Sequence, residues 1–165
     1  MDKHIILIKW SGPEMVNKVI KKMNKGGYPL NKWAGPDYGV YQIYGNHILC
    51  KENTLLYVGK AIDQTFSARF KQHRKEWLEK EKNIRIYLGR IEDPCYKEKD
   101  DWCTWRRDLD IAESILIYKY TPHYNSAGLW DYPQLKPHVK VQLVHIGKRN
   151  RLKAKDNAPE DYQYE

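Results

Sequence analysis

One stretch constrains the chain more than any other: residues 39–69, GVYQIYGNHILCKENTLLYVGKAIDQTFSAR. Val40–Tyr44 and Leu55–Val58 are short runs rich in β-branched and aromatic residues, and Gly45-Asn46 between them favours a turn. The spacing predicts a β-hairpin. Each run carries a tyrosine close to a glycine, Gly39-Val40-Tyr41 in the first and Tyr57-Val58-Gly59 in the second. Lys60 follows directly, and Arg69 comes ten residues after Gly59.

Arg69 falls in a segment, roughly Thr65 to Lys82, that reads as a helix with Thr65 or Asp63 as its cap. Phe66, Phe70 and Trp77 share one face at helical spacing, and Arg69 and His73 lie on that same face. Lys71, Arg74, Lys75 and Glu79 make an ordinary solvated opposite side. An arginine and a histidine on an apolar face must be paired or must line a cavity. The plainer account is a snorkelling arginine and a satisfied core histidine.

Around this stretch the chain alternates strand and helix signals. Residues 4–10, HIILIKW, predict a buried strand. Ser11 and Glu14 have the spacing of a capping box, and Val16, Val19, Ile20 and Met23 continue as an amphipathic helix that Gly26-Gly27 ends. This unit is either a structural brace or an accessory DNA contact. Residues 28–38 form a Pro- and Gly-rich loop in which Trp33 plugs the core or stacks on a base. Ile84–Ile91 predicts another strand, residues 92–103 a charged loop, and Thr104 or Trp105 to Tyr120 a second long helix. Glu113 shares a face of that helix with Leu109, Leu116, Ile117 and Tyr120. A carboxylate there needs a salt bridge, a hydrogen-bond network or a hard divalent cation. Thr121-Pro122 ends the helix, Asn125 suits a turn or backbone cap, and His123 close by is a candidate contact to phosphate. Residues 139–146 predict a last strand. Lys148, Arg149, Arg151, Lys153 and Lys155 then form a basic run that suits phosphate contact or a solvated, frayed end, before an acidic tail.

The chain has 165 residues, enough for one domain with a full core, and a net charge of +8 that fits a polyanionic partner. Its three cysteines, Cys50, Cys95 and Cys103, include no CxxC pair, which argues against a disulfide framework and a zinc ribbon. No N-terminal apolar run is long enough for a signal peptide or a membrane span, so the expectation is a cytoplasmic protein.

The ordered set Gly39-Val40-Tyr41, Tyr57-Val58-Gly59-Lys60, Arg69, His73, Glu113 and Asn125 resembles the GIY-YIG nuclease family over residues 39–128. The resemblance implies an α+β fold: a small, mainly antiparallel central sheet flanked by helices. Here residues 1–38 would add a strand–helix extension and residues 129–165 a C-terminal strand and charged tail, all in a single domain. It implies a metal-dependent DNA endonuclease, best placed among restriction or defence enzymes, that leaves 5′-phosphate and 3′-hydroxyl ends. It makes Tyr41 the general base, Tyr57 a neighbour of phosphate or water, Arg69 the phosphoryl clamp, Lys60 a second positive charge, and Glu113 the ligand of one Mg²⁺ or Mn²⁺. Where several branches of the family carry tyrosine, this chain has His73, which is a rival for the base. Gly39, Gly59 and Asn125 would be structural or near the phosphate. Lys71, Arg74, Lys148, Arg149 and Arg151 are candidate contacts to double-stranded DNA, and a homodimer would suit two-strand cleavage. The alternatives are a non-catalytic nucleic-acid-binding module on the same scaffold, the nuclease domain of a repair or homing enzyme, and a basic adaptor for an acidic protein.

Overall fold

Val40, Gln42 and Tyr44 alternate with Tyr41 and Ile43, and all five are buried. A strand apolar on both sides must be covered on both. The computed structural model, which describes residues 3–22, 37–47, 51–92, 102–129 and 140–159, shows how. Strands β1 (Lys3–Glu14), β2 (Gly39–His47), β3 (Lys51–Ala61), β4 (Lys82–Ile91), β5 (Lys140–Gly147) and β6 (Lys155–Asn157) form one sheet in the order β3-β2-β4-β1-β5-β6. Helices α1 (Val16–Lys22), α2 (Phe66–Glu76) and α3 (Trp102–Tyr120) flank it. Val40, Tyr44 and Val58 pack with Trp105, Leu109, Ala112 and Leu116 of α3. Tyr41 and Ile43 pack with Phe66 and Phe70 of α2 and with Val19 and Ile20 of α1.

The fold is therefore α+β with a mixed sheet. β1–β4, β2–β3, β2–β4 and β5–β6 pair antiparallel, while β1 and β5 run parallel. The expected mainly antiparallel character holds for all but that pair. The N-terminal strand is no appendage: β1 lies inside the sheet between β4 and β5.

Several local expectations need correction. Ser11 and Glu14 do not cap a helix; they extend β1, pairing with Leu88 and Ile86 of β4 across a register shift. Ladder pairing outweighs a local cap signal here. Gly45-Asn46 is not the hairpin turn but part of β2. A Cβ at Gly45 would lie 2.7 Å from Leu56 Cδ1 and 2.9 Å from Ile84 Cδ1, so this glycine permits close packing rather than a reversal. α2 stops at Glu76, where the Trp77 amide donates to His73 O, and a 3-10 turn covers Leu78–Lys80. α3 begins at Trp102, within the stretch read as a loop.

The segment after β5 is not frayed. Leu152 and Asp156 are buried, and β6 pairs with β5. Asp156 accepts from Tyr120 (2.8 Å), and its Oδ2 lies 3.2 Å from His145 Nε2, while Trp10 Nε1 donates to His145 Nδ1 at 2.9 Å. Gly26-Gly27, Trp33, Cys50, Cys95 and the acidic tail from residue 160 lie outside the described residues; Cys103 is exposed on α3. Among the described residues no helix is long and apolar enough to cross a membrane.

Candidate active site

Strand register brings the two motif segments together. Tyr41 on β2 faces Gly59 on β3, and Ile43 faces Tyr57. The Tyr41 and Tyr57 rings stack with centroids 6.1 Å apart and planes 23° apart. Gly59 is glycine because the Tyr41 phenol lies over it: a Cβ there would sit 2.6 Å from Tyr41 Cζ and 2.7 Å from Tyr57 Cε1. Gly39 opens β2 at φ +145°, against Gly89 of β4.

α2 supplies the next two groups. Thr65 caps it, its side chain accepting from the Ala68 amide at 3.3 Å. Phe66 and Phe70 then dock the helix on the sheet and carry Arg69 and His73 to the same side. Tyr41 Oη lies 2.8 Å from His73 Nε2 in a buried contact. Burial, assisted by the charge of Arg69, holds His73 down to about 4, so its ring is neutral near pH 7. Tyr41 can donate to Nε2 of the neutral ring or accept from it; donation leaves the ring proton on Nδ1, which is buried without a hydrogen-bond partner among the described residues but is turned to Glu76. The opposite tautomer would aim a bare Nδ1 lone pair towards the Glu76 carboxylate, 3.8 Å away. Burial pushes the Tyr41 phenol well above the usual tyrosine range, outweighing the opposing effect of the Arg69 guanidinium. Tyr41 has no exposed surface. Tyr57 and Arg69 beside it are half-buried, and Tyr57 is likewise raised by burial. Arg69 Nη1 donates to Gln72 at 3.2 Å, and its buried Nε has no hydrogen-bond partner among the described residues.

α3 brings the carboxylates. Glu113 Oε2 lies 2.6 Å from Lys60 Nζ, and Asp110 Oδ1 lies 2.9 Å from the same nitrogen. Burial pushes the Glu113 carboxyl up, opposed by its bond to Lys60. The two carboxylates outweigh desolvation at Lys60, whose pKa is raised, so it stays charged. β3 is the edge strand, with Lys60 turned to α3 and Tyr57 packed on the α2 side. Even so, the charge of Glu113 acts on Tyr41, Tyr57 and Arg69. The groups thus gather around the end of one edge strand.

Asn125 secures that edge. Its Oδ1 accepts from Val58 N (3.0 Å) and its Nδ2 donates to Val58 O (2.9 Å), as a neighbouring strand would. Asn125→Ala strands two buried backbone groups between Tyr57 and Gly59. A loss of about 2 kcal/mol is expected from the urea midpoint; an unchanged midpoint would show that the pairing contributes nothing.

The remaining candidates do not all join this site. Lys71 and Arg74 are on α2, Arg74 contacting Asn17 and Glu79. Lys148, Arg149 and Arg151 lie on the β5–β6 turn, a different element, where Arg149 Nε bonds Leu152 O. His123 stacks edge-on with His47, centroids 4.1 Å apart. Asp110 and Glu76 were missed by the sequence reading. Asp110 was discoverable, since it precedes Glu113 by one helical turn. Among the described residues no three His, Cys, Asp or Glu side chains are grouped to hold a metal ion. No family model, curated protein or solved structure matches this chain.

Proposed function

We propose that this protein is a phosphodiester hydrolase acting on DNA, of the GIY-YIG type that its motif order resembles. The observation that carries the reading is the meeting of Tyr41 with His73 on one side of β3 and of Lys60 with Glu113 on the other, with Arg69 in the field of both.

Hydrolysis needs a proton acceptor for the attacking water and positive charge around the phosphoryl oxygens. Tyr41 cannot act as a free phenolate, because burial keeps its proton on. It can act as a relay. As the water oxygen bonds to phosphorus, the water proton passes to Tyr41 Oη and the Tyr41 proton passes to His73 Nε2. The resulting imidazolium turns its Nδ1–H towards Glu76. Tyr41 has no exposed surface, so this relay requires the half-buried Tyr57 and Arg69 beside it to move aside and admit the water. The half-buried Arg69 offers the accessible end of its guanidinium to a phosphoryl oxygen, and Lys60 adds a second positive charge. The phosphorus–3′-oxygen bond breaks, and solvent protonates the departing oxygen. The products are a 5′-phosphate and a 3′-hydroxyl.

One hydrated Mg²⁺ or Mn²⁺, rather than an ion in an all-protein cage, is what the motif order implies. Glu113 is the hard oxygen donor for it, but Lys60 Nζ lies 2.6 Å from Oε2, so the ammonium would have to share or yield that oxygen. A divalent ion at Glu113 would supply Lewis acidity, offsetting charge on the phosphoryl and departing oxygens.

The reading is tested with supercoiled plasmid. Nicked or linear product is expected with Mg²⁺ or Mn²⁺ and none with EDTA. Tight DNA binding without cleavage under every divalent ion would favour the second reading, a binding module, to which the net charge of +8 is equally suited.

A further inference from the structure

We infer that a row of aromatic rings leading out from Tyr57 is a stacking track for the unpaired bases of a DNA strand. For its direction, with the cleaved phosphate at the Tyr57 end, this rests on the hydrolase reading above. Trp77, half-buried at the end of α2, has its centroid 6.1 Å from Tyr57 and 5.8 Å from His73. Tyr124 lies 4.8 Å from Trp77, His47 lies 6.1 Å from Tyr124, and His123 lies 4.1 Å from His47. Tyr124 and His123 are exposed, so the row leaves the core and continues along the surface.

The row is held in place. The Tyr124 amide donates to Leu56 O at 2.8 Å and the His123 amide to Leu55 O at 3.4 Å, along the edge of β3. The Tyr124 hydroxyl donates to Glu81, which fixes the ring and engages that carboxylate. Pre-positioned rings lose little freedom when a base stacks on them. A cation adjoins the outer end of the row: exposed Lys51 faces His47 across the β2–β3 ladder. Rings beside a cation suit single-stranded nucleic acid, whose base faces are open. A duplex hides those faces in its own stack and would use only the charge. The substrate class is therefore DNA that carries unpaired bases beside the cleaved bond or opens to expose them, as a negatively supercoiled plasmid does.

The test is fluorescence anisotropy in EDTA with three labelled probes: an oligothymidylate of about twelve nucleotides, an abasic strand of equal length, and a blunt duplex. The wild type is expected to prefer oligothymidylate over the abasic strand by about tenfold. His123→Ala/Tyr124→Leu should erase that preference while duplex affinity stays within about twofold, since the phosphate contacts that dominate it are untouched. His123→Leu alone, at an exposed position, gives the smaller loss in the same direction should the double variant lose its fold. Equal affinity of the wild type for oligothymidylate and abasic strand would overturn the track. So would a variant that weakens all three probes alike. EDTA removes any cleavage, so an inactive protein that still prefers bases keeps the track and loses only the hydrolase.

Discussion

Glu113→Ala is expected to lower divalent-ion-dependent cleavage by about a thousandfold or more, the loss expected when roughly 4 kcal/mol of transition-state stabilisation disappears. DNA affinity in EDTA should stay within about threefold, because phosphate contacts by lysine and arginine dominate binding. The structure favours a folded variant. Lys60 keeps Asp110 at 2.9 Å, so its charge is not stranded. Glu113 is itself a carboxylate whose burial raises its pKa, so removing it also relieves a desolvation cost. Glu113→Gln keeps the shape and should fail as badly, because the hard anionic oxygen is what is lost. Wild-type rates in either variant would remove Glu113 from the chemistry and leave it as the structural partner of Lys60. Single-turnover cleavage over a range of Mn²⁺ concentrations makes the measurement.

The second large effect concerns the proton. Tyr41→Phe and His73→Ala should each lower the rate by about a hundredfold to ten-thousandfold, the range for a general base. The pH profile assigns the acceptor. His73 must be neutral to take a proton, and its pKa is held down to about 4. Wild-type activity should therefore stay level from neutral pH into the alkaline range and fall in acid, where His73 and the Glu113 carboxyl, itself raised by burial, take up protons. If Tyr41 acted alone, its raised pKa would make the rate climb throughout the alkaline range. That climbing profile is what His73→Ala should show. Stability follows the same group: the unfolded chain protonates near 6.5 and the folded one near 4. Stability is thus full above 6.5 and is lost as pH falls towards 4, so acid rates should be read alongside the folded fraction. A wild-type profile rising steadily past pH 9 would reject the dyad.

What could be read from the sequence was periodic or ordered. Phe66 and Phe70 placed Arg69 and His73 on the buried face of α2, because a helical period is a local property. The run around Glu113 announced a buried helix for the same reason, and Asn125 was placed as a backbone cap. What could not be read was partnership across the fold. Nothing in the spacing says that Lys60 would lie between Asp110 and Glu113, or that the Tyr41 hydroxyl would be sealed against His73. Those contacts depend on how α2 and α3 straddle the edge strand. Ser11 to Glu14 misled because a cap pattern is weaker than a ladder with β4. β6 was invisible because Lys155-Asp156-Asn157 carries no apolar signal; the buried Asp156 is held by Tyr120 and His145, far away in sequence. The outer rings at Tyr124 and His47 went unnoticed because neither belongs to a periodic face.

The most direct measurement is the fate of supercoiled plasmid with purified protein and Mn²⁺, with ligase applied to the product. The account predicts nicked circles that form only with the divalent ion and that ligase reseals, since the ends would be 5′-phosphate and 3′-hydroxyl. Plasmid that stays supercoiled under every divalent ion, or nicks that ligase cannot close, would contradict it.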